Sequence, residues 1–164
     1  MTLLQVCEWL ESTSVAMFVQ QSPWGFPLVV ALHLLGLTLS VGLVAWFDLR
    51  LLGIVLPACP VSVVYRRVMP LAFAGFGLMF VTGGVLFVSY ATSAYGNVYF
   101  QIKLGALVLA GVNATVYHLR TERRFAREDT AAHQPLPARM AGLVSILAWA
   151  TVIVAGRMMS YTMF

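Results

Sequence analysis

The sequence predicts an all-α protein, a four-helix transmembrane bundle preceded by an amphipathic helix at the membrane interface. Three observations carry this prediction. Of 164 residues, 60% are hydrophobic and only 10% are charged, against roughly 25% charged in soluble domains. Four stretches are long and apolar enough to cross a bilayer, which takes about 20 helical residues. The basic residues gather between alternate stretches instead of being spread along the chain. In lipid the backbone must satisfy its own hydrogen bonds, so each crossing has to be helical. This composition excludes a soluble enzyme, a disordered chain and a secreted disulfide scaffold. It leaves a single integral membrane domain over residues 1–164.

The elements follow in chain order. Before Arg50 there is no Lys or Arg, so the basic n-region of a secretory signal is missing. Residues 2–20 read as one amphipathic helix, with Leu3, Val6, Cys7 and Leu10 on one face and Glu8 and Glu11 pointing elsewhere. It is expected to lie on the outer membrane–water interface, with Trp9 and Trp24 in the aromatic belt. Ser22-Pro23 separates it from the first span. A fifth crossing is not expected from so short a segment with two acids.

Span one is predicted from about Phe26 to Phe47, with Asp48 and Arg50 marking its exit and pairing locally. Span two runs from about Met69 to Ala91, and the five residues Thr92 to Gly96 form an uncharged connection. Span three covers about Asn97 to Leu119 and span four about Arg139 to Tyr161. Between them, the run Arg120 to Arg127 either touches anionic lipid heads or acts as a solvated topology signal. Glu128 to Pro137, with His133, Pro135 and Pro137, reads as a polar loop.

Charge orients the bundle. Arg50, Arg66 and Arg67 lie between spans one and two, and Arg120, Arg123, Arg124, Arg127 and Arg139 between spans three and four. The positive-inside rule assigns both connections to the cytoplasm and both termini to the periplasm. The same rule accounts for the net charge of +4, so no nucleic-acid partner is expected. Cys7 and Cys59 then fall on opposite sides and cannot pair within one chain. There is no C-x-x-C-H for covalent haem, and no G-x-x-x-x-G-K-[ST] or H-E-x-x-H.

Ionisable groups inside spans are costly and are candidates for function. They are His33, Lys103, His118 and Arg157, with Asn113 as a further polar residue. At a rise of about 1.5 Å per residue, His33 lies about 10 Å, Lys103 about 9 Å and Arg157 about 6 Å below the outer boundary. Three helices thus place ionisable groups at one level. His118 lies about 31 Å from Asn97, at the cytoplasmic edge. A haem held by His33 and His118 in one monomer is therefore disfavoured. What remains is His33 with a non-histidine partner, or two copies of His33 meeting across a two-fold axis normal to the membrane.

Gly36 and Ser40 continue the His33 face, span two offers Thr82, Gly83 and Gly84 at similar depth, and span four offers Trp149, Val152 and Gly156. Small residues admit either a flat ligand or a closely packed helix. Lys103 and Arg157 either hold an anionic group such as haem propionates or snorkel to the headgroups. Met79, Met158 and Met159 read as soft ligands or core fillers. Asn113 is expected to bond between helices, and His118 to be an interfacial residue.

The pieces H-L-L-G-L-T-L-S-V-G (His33 to Gly42), D-L-R-L-L-G (Asp48 to Gly53), Thr82-Gly83, Lys103, N-A-T-V-Y-H (Asn113 to His118) and G-R-M-M-S-Y (Gly156 to Tyr161) occur in this order. Through them the chain resembles a group of small uncharacterised four-span bacterial inner-membrane proteins. The resemblance implies the four-span fold, the bacterial inner membrane and the choice of His33, Lys103 and Arg157, but no reaction.

The expected function is a small membrane electron-transfer subunit binding a b-type haem or a quinone near the periplasmic leaflet. The expected cofactor-binding residues are His33, Lys103, Arg157, Thr82 and Gly83, with His33 as the metal ligand if haem is bound. The alternative is a non-catalytic accessory subunit of a larger membrane complex. Expected partners are the lipid bilayer and either a second copy of the chain or such a complex.

Overall fold

A computed structural model describes residues 2–128 and 134–163, with side chains for 2–120 and 134–162. Residues 129–133, with His133 and half of the loop expected at Glu128 to Pro137, lie outside the described residues, as do the side chains of Arg123, Arg124 and Arg127. Regular structure among the described residues is helical throughout. Four helical stretches are long and apolar enough to cross a membrane: Gly25–Leu51, Val61–Ser89, Val98–Arg120 and Leu136–Thr162. The four-helix bundle predicted from composition is the observed architecture.

The N-terminal segment is two helices where one was expected, α1 (Leu3–Glu11) and α2 (Ser14–Gln21). Hydroxyls cause the break. Ser12 Oγ donates to Trp9 O at 2.7 Å and Thr13 Oγ1 to Leu10 O at 2.7 Å, which occupies the last carbonyls of α1. Thr13 then caps α2 by accepting from Ala16 N. Short hydroxylated side chains compete with the helical backbone in this way. The expected apolar face is only partly inward: Cys7 is buried and Leu10 half-buried, whereas Leu3 and Val6 are exposed. Glu11 also departs from expectation. Its carboxylate accepts from Thr92 N (2.9 Å) and Thr92 Oγ1 (2.7 Å), tying α1 to the short helix α6 (Ala91–Tyr95), which replaces the expected irregular connection.

Span one is longer than expected. It comprises α3 (Gly25–Leu37), a π-helical turn (Thr38–Gly42) and α4 (Leu43–Leu51). Thr38 and Ser40 return their hydroxyls to Leu34 O and Gly36 O at 2.9 and 2.7 Å, and such back-bonding perturbs the helical ladder. The wider turn rotates the face that follows it. As a result α3 packs on the second span, while α4 packs on both the second and the fourth.

The chain leaves α4 through a glycine-terminated cap. Ile54 N bonds Leu49 O and Gly53 N bonds Arg50 O, both at 3.0 Å, with Gly53 at φ 78°. This is the left-handed ending that glycine adopts without steric cost. Replacing Gly53 by alanine is expected to lower stability by about 1 kcal/mol, read as a lower unfolding midpoint with unchanged helical content.

Span two, α5 (Val61–Ser89), starts earlier than Met69 and carries Pro70 inside it. Its first turns are amphipathic: Val61 and Val64 are buried against Phe47 and Leu51, while Arg66 and Arg67 face outward. Span three, α7 (Val98–Glu128), continues past Leu119, and span four, α8 (Leu136–Met163), starts before Arg139.

Among the four spans α8 is the most buried and α7 the least. The α3–α5 contact is the closest. A Cβ on Gly36 would lie 2.8 Å from Met79 N, and one on Gly75 would lie 2.6 Å from Ser40 N, so the two backbones touch there. α7 packs along α8. It meets α5 through side chains, with Phe87 and Phe100 stacked at 5.3 Å near one end and Tyr65 against His118 near the other. The middle is filled by Val41, Met79, Ala106, Ala110, Ala148, Trp149 and Val152.

Candidate functional site

One end of the bundle carries α1, α2, α6 and the C-terminus, and is called here the termini end. In that half the α3–α5 pair and the α7–α8 pair are joined mainly by side chains, in contrast to the basic end, where α4 packs directly on α5 and α8. The seam between the pairs has an ordered stack of layers. The Phe87–Phe100 stack lies outermost, and Phe76 and Trp149, with ring centroids 5.3 Å apart, lie innermost. Between them come His33 from α3, Thr82 and Gly83 from α5, Lys103 from α7 and Gly156 from α8. The register follows from helical rise, since Phe100 precedes Lys103 by about 4.5 Å along α7.

α5 seats the half-buried His33 ring. Nδ1 lies 3.1 Å from Met79 O and 3.1 Å from Thr82 Oγ1. The Thr82 hydroxyl donates its own proton to Leu78 O at 2.7 Å. A carbonyl oxygen can only accept, so Nδ1 of the neutral ring carries the proton and Nε2 the lone pair. No hydrogen bond reaches Nε2 among the described residues. A Cβ on Gly83 would meet His33 Cε1 at 3.0 Å, so this glycine makes room for the ring edge. Histidine ligands are commonly oriented by a backbone carbonyl on the second nitrogen in this manner.

Lys103 is partly buried. A Cβ on Gly156 would lie 3.8 Å from its Nζ, so Gly156 provides the shelf over which the lysine stem runs. Lys103 Nζ makes no hydrogen bond or ion pair among the described residues.

The other residues singled out by sequence are placed as follows. Arg157 is exposed, donates to Tyr161 Oη at 2.9 Å and lies over that ring at 4.7 Å. It is engaged on its own helix and does not join His33 and Lys103. His118 contacts Tyr65 Oη at 3.2 Å at the basic end. Asn113 bonds Ala141 O at 2.9 Å, the interhelical role expected of it. Met79 turns its sulfur toward Ser40 Oγ at 3.9 Å. Cys7 and Cys59 are both free thiols. Among the described residues no group of three His, Cys, Asp or Glu side chains is arranged to hold a metal ion.

Asp48 and Arg50 do not form the local pair expected of them. They are two residues apart on α4, so they point to different neighbours. Asp48 is 4% exposed and accepts from Ser145 on α8, with Oδ2 unpartnered. Arg50 is 1% exposed and donates to Cys59 O (2.8 and 2.6 Å) and Pro57 O (3.2 Å), so it holds the connection to α5.

The match between this chain and a family model extends over residues 7–162, the whole bundle with its N-terminal helices. The chain belongs to DUF6644, a family of unknown function. No curated protein and no solved structure matches it. The seat of His33 was only half legible beforehand. Thr82 and Gly83 were chosen from their depth, whereas the Met79 carbonyl that sets the tautomer is a backbone atom with no sequence signal.

Proposed function

We propose that this DUF6644 chain is a small electron-transfer subunit of the bacterial inner membrane, with both termini periplasmic. It holds a redox-active ligand, a b-type haem or a quinone, in the periplasmic half of the seam at His33. The observation that carries this reading is the ring geometry: Nδ1 is committed to Met79 O, which leaves the Nε2 lone pair for a ligand. Thr82 and Gly83 hold and clear the ring, and aromatic pairs lie to either side of it along the seam.

This chemistry fits an axial ligand to haem iron and equally fits a hydrogen-bond acceptor for a quinol hydroxyl. When bound, either group supplies electron transfer. The protein orients the imidazole, fixes its proton on Nδ1 and surrounds it with apolar rings. Lys103 offers a donor from the opposite wall.

The test is a dithionite-reduced minus oxidised visible spectrum of purified protein in mild detergent, paired with analysis of quinone in an organic extract of the same sample. Haem bands or stoichiometric quinone are expected, and both should vanish in His33→Ala while persisting in His118→Ala. Ligand-free protein from cofactor-replete cells would overturn the reading in favour of the accessory subunit. So would a His33→Ala variant that keeps its ligand.

A further inference from the structure

In the termini half of the seam two polar groups have no protein partner among the described residues, and their hydrogen-bonding senses are opposite. His33 Nε2 is an acceptor, because Nδ1 already carries the ring proton. Lys103 Nζ is a donor in either protonation state. One stands on the α3–α5 wall and the other on the α7–α8 wall, each about one turn from the Phe87–Phe100 stack: Gly83, against the His33 ring, precedes Phe87 by four residues, and Lys103 follows Phe100 by three. Unpaired polar groups are costly where water is absent, and neither wall supplies the missing partner among the described residues. The layers to either side, Phe87–Phe100 and Phe76–Trp149, are aromatic.

A ligand that suits both groups and the aromatic layers has a flat apolar body with a hydroxyl on one edge and an acceptor oxygen on the opposite edge. We infer that the seam binds the headgroup of a lipid-soluble benzoquinol, with one ring hydroxyl donating to His33 Nε2 and the opposite ring oxygen accepting from Lys103 Nζ. This rests on the reading of His33 as the redox-ligand residue and names the ligand class for it. Haem satisfies the arrangement less well. Its two propionates call for more than one cation, and Arg157 is exposed and turned to Tyr161. A second histidine at this depth is absent from the sequence.

The tautomer adds a preference between redox forms. The oxidised quinone presents a carbonyl where the quinol presents a hydroxyl, and a carbonyl meets the Nε2 lone pair with no proton between them. The site therefore favours the reduced form, by about tenfold for one lost hydrogen bond. The preference holds above the ordinary imidazole range, where the ring is neutral.

The experiment titrates the full chain in mild detergent at about pH 8, above the ordinary histidine range. The probe is a decyl-tailed dimethoxybenzoquinol, kept reduced, and separately its oxidised form. Binding is read by quenching of tryptophan fluorescence, and folding of each variant is checked by its unfolding midpoint. Wild type is expected to bind the quinol about tenfold more tightly than the quinone. His33→Ala should lose that preference, Lys103→Met should weaken both forms, and Lys103→Gln, which keeps a donor, should restore binding in part.

Haem bands that disappear in His33→Ala would overturn the quinol inference while leaving the electron-transfer reading in place. Quinol binding that is indifferent to Lys103→Met, or equal binding of the two forms, would overturn the inference in the same way. A wild-type protein with neither haem nor quinol affinity would overturn both.

Discussion

Replacing Gly75 by leucine is expected to part α3 from α5 and to unseat His33. A Cβ at this position would lie 2.6 Å from Ser40 N, 2.8 Å from Leu39 Cβ and 3.0 Å from Gly36 O. Two of these three atoms are backbone, so no rotamer change relieves the clash and the helices themselves must separate. Overpacking of this kind costs about 1–3 kcal/mol, and the loss of the surrounding contact places this substitution at the upper end.

The consequence for the site is geometric. Gly36 lies one turn from His33 on α3, and Gly75 one turn from Met79 on α5, so the glycine contact sets how near the imidazole comes to the Met79 carbonyl. Once the helices part, the 3.1 Å Nδ1 contact is lost and the ring can turn. The expected outcome is a lower unfolding midpoint, retained helical content by circular dichroism, and loss of the quinol binding proposed at His33. Gly77→Leu is the control. Nothing lies within 4 Å of a Cβ there, so both stability and ligand binding should be close to wild type. Equal behaviour of the two variants would show that the α3–α5 approach does not govern the site.

Arg50→Ala is expected to have an effect of similar size at the other end of the bundle. The guanidinium is buried and holds two carbonyls, Cys59 O and Pro57 O, through Nε and Nη2. Hydrogen bonds to charged groups contribute about 1.5–3 kcal/mol each. Alanine would leave both carbonyls unpaired and a hole where the side chain lay, for a loss of about 3 kcal/mol or more. Arg50→Lys should recover little of this, because a single ammonium cannot reproduce the forked geometry. Limited proteolysis should cut faster in the connection between α4 and α5. The quinol binding proposed at His33 should be retained in the folded fraction, since the two positions are about 25 Å apart along the helix.

Much of the bundle was legible in the sequence because membrane insertion is decided locally. A stretch of about 20 apolar residues crosses whatever its neighbours are, and helical rise then assigns each polar residue a depth. On that basis His33, Lys103, Arg157, Thr82 and Gly83 are expected together; four of them line the seam, while Arg157 turns to Tyr161 on its own helix. Asn113 likewise bonds a carbonyl of the neighbouring helix, as a polar residue in a span is expected to do. The ends of the spans were less legible. Arg66 and Arg67 suggested a boundary near Met69, yet α5 starts at Val61, because an amphipathic first turn can point its arginines outward.

What the sequence by itself determined is the number of crossings, their helical character and the depth of each ionisable group. Tertiary structure alone decided azimuth and partner. It turned Arg157 to Tyr161 and away from His33, buried Arg50 against carbonyls instead of pairing it with Asp48, and brought a backbone oxygen of Met79 to Nδ1. The physical reason is that depth depends on transfer free energy and rise per residue, which each segment carries within itself. Hydrogen-bond partners depend on how closely two backbones approach, and here that distance is set by Gly36 meeting Gly75 across two helices far apart in the chain.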